Sequence, residues 1–300
     1  EGAQASFSRS IVALVASNGF AGLRGETHHG VATSVLAGTG TAMERDYDYA
    51  SAVHAADLAQ PEAVGRSAGE RAVRRLNARK METAKMPVVF EPRVAGSLLR
   101  HLASAANGHS VARGTTFLKD QMGARIFPEA VTIVDDPLRR RGLNSHPFDG
   151  EGLAPRALKL VDRGVLKSWV LDLRSARQLK LRSTGHAARG LSSPPSPATS
   201  NLYLEPGKVS PEALLAGIKE GFFVTELIGM GVNGVTGDYS RGAAGFRIEN
   251  GALAHPVSEV TIAGNLKEMF LNLTAADDLV FRYGTDSPTV MIESLTVAGR

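Results

Sequence analysis

The segment from Gly229 to Phe246 constrains this chain more than any other. Gly229, Gly231, Gly234, Gly237, Gly242 and Gly245 recur through it and surround the polar run Asp238-Tyr239-Ser240-Arg241. A glycine has no Cβ, so its backbone can come close to a ligand or another strand. No helical pattern follows the first glycines directly, so their spacing is not a dinucleotide fingerprint. The polar run offers a carboxylate, a phenol, a hydroxyl and a guanidinium. One reading makes it a polar wall that orients a peptide, with a strand edge that adds substrate by β-augmentation. The other makes Asp238 and Arg241 a local ion pair or Asx turn that fixes a strand end.

The rest of the chain is compatible with a substantial core. It has 300 residues, of which 43% are hydrophobic, enough for one large or two ordinary domains. There is no cysteine, so disulfides and thiolate metal sites are excluded and a cytoplasmic location is the expectation. No apolar run approaches the ~18 residues of a membrane span. The chain opens Glu-Gly-Ala-Gln, without Met and without signal-peptide character, and reads as a fragment or a processed chain. The net charge of +4 is mild for this length. Its densest cluster, Arg71 to Lys80, is expected to be the solvated face of a helix rather than a DNA-binding stripe. No aromatics interleave with it as a stacking surface would need.

Periodicity predicts an α+β fold, mostly antiparallel sheet with a few packed helices, in two domains: residues 1–86 and 87–300. Ser10–Val15 and Val31–Leu36 read as strands. Pro61 opens a helix carrying Val64, Ala68, Ala72, Val73 and Leu76 on one face. Lys85-Met86-Pro87 reads as a linker, Val88–Phe90 as a short strand, and Pro92–Ala106 as a helix ended by Asn107-Gly108. Two hairpins are expected at Arg163-Gly164 and Asn250-Gly251. Ser210-Pro211 should cap a helix running to Gly221, and Gly264–Leu273 is a further candidate helix. Arg182–Asn201 has no apolar periodicity and reads as a long functional or mobile loop holding His186. His28 and His29 read as surface residues, and Asp135-Asp136 and Asp277-Asp278 as solvated turns. Neither a Walker motif nor Gly-x-Ser-x-Gly is present.

A set of landmarks adds to this reading. They include Glu44–Tyr47, Pro87–Phe90, Val94–Leu99, Gly114–Leu118, Pro147–Gly152, Ser175–Arg177, Ser183–Ala187, Gly237–Phe246 and Pro256–Leu266. In this order and spacing the chain resembles the PmbA/TldD proteins, also called modulators of DNA gyrase. Within them it is similar to the PmbA (TldE) branch, with most of an N-terminal domain missing.

The resemblance implies a metallopeptidase family acting on unfolded peptides. Its catalytic TldD branch carries His-Glu-x-x-x-His on the helix after the short strand, where two imidazoles bind zinc and the glutamate activates water. Here Arg100 and His101 stand where the first His and Glu belong, and Ala105 where the second His belongs. The expectation is therefore no metal and no catalytic residues in this chain, with zinc held by a TldD-like partner subunit. Whether the chain is itself an enzyme stays open. His101 and His109 would lie about 12 Å apart on one continuous helix, too far for one ion. Asp286-Ser287-Pro288 lies near the place of a family cysteine. The peptide-binding candidates are His186, Asp238, Tyr239, Ser240 and Arg241. His186 reads equally as a plain loop histidine. A homodimer in isolation is a further expectation. The alternative functions are a non-enzymatic binding protein acting on DNA gyrase or another partner, which the sequence does not favour, and an autonomous hydrolase.

Overall fold

The structure, a computed structural model, describes residues 1–299. Three strands open the chain: β1 (Ala3–Val15), β2 (Ala21–Ala37) and β3 (Glu44–Ala52). They pair in sequence order as an antiparallel meander. Helix α1 (Pro61–Arg74) packs on β2 and β3 through Val64, Ala68 and Ala72. Proline sits in its first turn and Arg71 and Arg74 in its last, where they suit the helix dipole. Of the expected apolar face, Val73 points to solvent and Leu76 lies beyond the last turn.

Next come β4 (Ala84–Phe90), α2 (Pro92–Ala105) and α3 (Gly108–Ala112). The expected linker Lys85–Pro87 is therefore strand. Pro87 fits because it falls where the register of β4 shifts, between the Val88–Ile292 and Met86–Leu295 pairs. A residue without an N–H is tolerated at such a bulge. Asn107 ends α2 as expected, and its side chain also accepts from the His109 amide to cap α3. His101 and His109 thus sit on separate helices.

The following stretch contains β5 (Ile133–Asp135), β6 (Leu158–Asp162), β7 (Val165–Leu166), α4 (Leu173–Leu179), β8 (Ala187–Ala188), β9 (Ser196–Pro197) and β10 (Leu202–Leu204). The loop expected over Arg182–Asn201 is thus partly ordered by the small β8–β9 ladder. The last stretch contains α5 (Pro211–Ala216), β11 (Glu220–Ile228), β12 (Asp238–Glu249), β13 (Ala252–Asn265), α6 (Leu266–Leu271), β14 (Leu273–Ala275), β15 (Thr285–Asp286) and β16 (Val290–Ala298). Ser210 caps α5 as expected, but the helix stops at Ala216 and the chain is already strand at Glu220.

The strands of the second half form two main sheets. One runs β13-β12-β11-β4-β16-β14, and β13 also pairs with β16. Five strands therefore close on themselves as a barrel, with β14 attached to β16. The other sheet runs β15-β10-β5-β6-β7. Helix α2 lies between them, packed on β10, β11 and β15. Leu98, Leu99 and Leu102 join one large cluster with Phe90, Phe222, Ile292 and Leu202. Most pairings are antiparallel, as the sequence predicts; β4–β11 and β10–β15 are parallel.

Both predicted hairpins form. Arg163 and Gly164 take φ of 48° and 79°, and Asn250 and Gly251 take 49° and 82°, the paired left-handed values of a tight primed turn. At Gly245 the need is for space. A Cβ there would lie 1.8 Å from the Phe223 carbonyl oxygen of the neighbouring strand. The variant Gly245→Ala must part β11 from β12. We expect it to lower stability by at least ~1–3 kcal/mol in urea unfolding, or to leave the protein insoluble.

A buried ionic network joins the N-terminal meander to the barrel. Arg93, with a side chain 3% exposed, bonds Asp46 at 2.8 Å and Glu91 at 2.9 Å. It also donates to the Thr225 and Tyr47 carbonyls. Arg75 bonds Glu226 and lies near Glu44 and Asp46, and Arg71 forks onto Glu91. The basic cluster is thus not wholly a solvated face. Arg71 and Arg75 turn inward because acidic partners from β3, α2's N-terminal side and β11 converge there, while Arg74, Arg79 and Lys80 remain exposed. Removing one partner of a buried pair leaves a charge uncompensated. Arg93→Met is expected to cost on the order of 3–5 kcal/mol, measured as a lowered denaturation midpoint.

Candidate functional site

Two elements meet on the second half of α2, at Arg100 and His101. The helix buries nearly every residue from Arg93 to Leu99 and then presents Arg100 to solvent, with His101 half-buried beside it. Strand β12 brings Tyr239 against that histidine, ring centroids 6.0 Å apart at 80°. On β12 alternate residues face opposite ways. Tyr239 and Arg241 therefore share one face, and Asp238 and Ser240 the other. This parity is why Asp238 and Arg241 do not pair. Asp238 instead bonds Thr236 and Asn265, and these two contacts hold its carboxyl below the ordinary range. The Arg241 Nε donates to the Ile228 carbonyl.

The electrostatics of this corner are one-sided. Burial lowers the His101 pKa to about 4, and the charges of Arg241 and then Arg100 push the same way. Burial raises the Tyr239 phenol, opposed by Arg241. Among the described residues, His101 Nε2 and the Tyr239 hydroxyl are buried without a hydrogen-bond partner. The Arg100 charge also reaches Tyr49 on β3. That phenol is pushed up to about 12, first by burial and then by Tyr283 and Tyr47. Tyr49 packs on Tyr283 at 5.0 Å, and Arg93 lies 4.3 Å over the Tyr47 ring. The Arg100 charge thus acts both on Tyr49 of β3 and on His101, which packs against Tyr239 of β12. Sequence reading did not select Arg100, Tyr49 or Tyr283. The available signal was a lone arginine breaking the apolar run of α2.

The other candidates lie elsewhere. His186 is 3% exposed. Its Nδ1 faces the Thr184 carbonyl at 2.8 Å, and its Nε2 lies 3.1 Å from Asp135 Oδ2 without hydrogen-bond alignment. Asp135 is itself fully buried and accepts from the Ser200 amide and hydroxyl. It is thus not the solvated turn residue expected, because the Ser200 amide and hydroxyl satisfy its carboxylate. Ser240 is exposed, but both edges of its strand are taken: it pairs with Ala263, and its amide donates to Gly231. β-Augmentation at this run therefore has no free edge.

The donor set on α2 does not fit the zinc centre that the fold family implies. Position 100 carries a guanidinium, His101 is flanked by two arginine charges, and no carboxylate is among the groups acting on it. His109 is engaged by Asp172 at 3.0 Å. Ser287, near the expected place of a family cysteine, is buried with its hydroxyl on the Pro288 carbonyl. Among the described residues no three His, Asp or Glu side chains converge as a metal site.

Comparison with known proteins places the fold. A model described as "PmbA/TldA metallopeptidase central domain" matches residues 2–76, and one described as "PmbA/TldA metallopeptidase C-terminal domain" matches residues 83–299. The chain is 41% identical to "Metalloprotease PmbA" of Escherichia coli O157:H7, over 91% of this chain and 59% of that protein. Among solved structures, a protein titled a modulator of DNA gyrase from Bacteroides thetaiotaomicron superposes with a TM-score of 0.90 at 28% identity, over 99% of this chain and 66% of that one. TldE from Thermococcus kodakarensis shares the fold at a TM-score of 0.88 and 22% identity, over 99% and 69%. These features define a protein of a metallopeptidase family. Within that class, this chain belongs to the PmbA/TldD family, and it spans 59% of the length of the Escherichia coli relative.

The buried histidine gives a pH signature. In the unfolded chain His101 titrates near ~6.5, and in the folded protein near 4. Between these values the unfolded state binds more protons, so acidification through this window destabilises the native protein. His101→Phe has no imidazole to protonate on unfolding. Denaturant unfolding from pH 6.5 to 4 should show the unaltered protein losing more stability than the variant.

Proposed function

We propose that this chain is a PmbA/TldE-like pseudoenzyme subunit of a heteromeric metallopeptidase. In this reading a TldD-like partner holds zinc, and this chain contributes to the channel for unfolded peptides. The observation that carries it is the second half of α2, where Arg100 and a desolvated, neutral His101 stand with no carboxylate to activate water. A subunit without chemistry of its own still contributes by binding and orienting substrate. The half-buried Tyr47 and Tyr49 of β3 and the Arg241 side chain of β12 supply apolar area and hydrogen-bonding groups for an extended peptide. Among the described residues no helix is long and apolar enough to cross a membrane, and a cytoplasmic location accompanies the proposal. The 28% identical neighbour titled a modulator of DNA gyrase keeps a second reading, a non-enzymatic gyrase- or DNA-binding protein. A DNA affinity falling steeply with salt would favour it.

The test is hydrolysis of an unstructured peptide by the full-length protein, alone and mixed with a TldD-like subunit, alongside metal analysis of each. The expected outcome is cleavage only on mixing, with metal in the partner. Zinc-dependent cleavage by this chain's full-length protein alone would overturn the proposal.

A further inference from the structure

The corner around His101 carries more positive charge than it balances. Among the described residues neither Arg100 nor Arg241 has a carboxylate partner, and Arg241 makes its one hydrogen bond to a backbone carbonyl. Both charges act on His101, and Arg241 also acts on Tyr239; no acid opposes them at either group. Two buried polar atoms there have no partner, His101 Nε2 and the Tyr239 hydroxyl, the second on a tyrosine only 1% exposed. Buried polar groups are nearly always satisfied, so an unpaired pair calls for an explanation. The groups present are donors: two guanidiniums, a phenol, and an imidazole that can donate from either nitrogen. Elsewhere in this molecule inward arginines meet acids from its own chain, as Arg71, Arg75 and Arg93 do. Among the described residues no acid takes that place at Arg100, which is exposed, or at Arg241, which is half-buried.

We propose that Arg100 and Arg241 form a carboxylate-binding subsite, with the His101–Tyr239 pair as its floor. The ligand is a peptide presenting a free carboxylate, either its C-terminus or an acidic side chain. Guanidiniums suit this group because their fork of N–H donors matches the two carboxylate oxygens. This inference rests on the peptide-channel reading and narrows its substrate. An anion seated between the arginines would oppose their effect on His101 and favour its protonated form. The charged and titratable groups facing His101 are Arg100 on its own helix and Arg241 and Tyr239 on β12.

The experiment uses the full chain with labelled histidine, titrated in an NMR tube. The probes are an N-acetylated alanine tripeptide, its C-terminal amide, and an amidated tripeptide with a central glutamate. The free acid is expected to bind about tenfold tighter than the uncharged amide, to shift the His101 ring signals and to raise its pKa. The glutamate peptide distinguishes the sources: binding like the free acid assigns the site to any carboxylate, and binding like the amide assigns it to the C-terminus. Arg100→Gln and Arg241→Gln should each narrow the difference between acid and amide, and the double variant should abolish it. Equal binding of acid and uncharged amide to the unaltered chain overturns the carboxylate subsite and leaves the peptide channel standing. Binding of no probe also overturns the subsite, while cleavage on mixing with the partner decides the channel reading separately.

Discussion

The Arg93 guanidinium is the interaction on which the arrangement of this molecule depends. It stands at the first turn of α2 and reaches Asp46 on β3, Glu91 before the helix and the Thr225 carbonyl on β11. Three parts of the chain far apart in sequence thus share one charge. A guanidinium suits the role because it has several donors in one plane and stays protonated. Desolvating it is costly, so it is tolerated only because every partner is in place. The same anchor fixes the start of α2, and the helix then carries Arg100 and His101 to a defined position against β12.

Strand β12 owes its placement to absent side chains. Gly231 and Gly245 let carbonyls of neighbouring backbone come closer than any Cβ would permit. That close packing seals the edges of the Asp238–Arg241 run and commits its side chains to two opposite faces. One face supplies Tyr239 and Arg241 to the corner at His101. The other is held by the local contacts of Asp238 with Thr236 and Asn265. The polar wall read from sequence is therefore half a wall, and the residues of α2 and β3 complete it.

Local signals were legible in the sequence where the physics is local. Asn250-Gly251 and Arg163-Gly164 turn because their backbones accept positive φ, and Pro61, Pro92 and Pro211 open helices because a missing N–H costs nothing there. Long-range pairing was not legible. Arg71 and Arg75 look like any solvated basic stripe until Glu91 and Glu226 are brought beside them by the fold. His186 read equally as a peptide contact and as a plain loop histidine, because Asp135 is far from it in sequence. The same limit hid Arg100, whose role depends on what it lacks: a partner that no linear spacing can reveal. The residue types at Arg100, His101 and Ala105 were readable, since they lie on one helix.

The closed barrel has a consequence for how the chain reaches this state. Strand β4 pairs with β11 on one side and β16 on the other, and β16 also closes the ring onto β13. Val88, Val89 and Phe90 are fully buried, yet their neighbours are Phe222 to Val224 and Val290 to Ile292. On the ribosome this apolar strand emerges long before either neighbour exists. Sheet closure must wait for the last strand to leave the exit tunnel, so the loop-closure cost comes late and at once. The N-terminal meander has only sequence-adjacent pairings and is free to form early. Synthesis of this molecule is thus a period in which the N-terminal meander waits beside an exposed apolar strand, the condition under which chaperones bind.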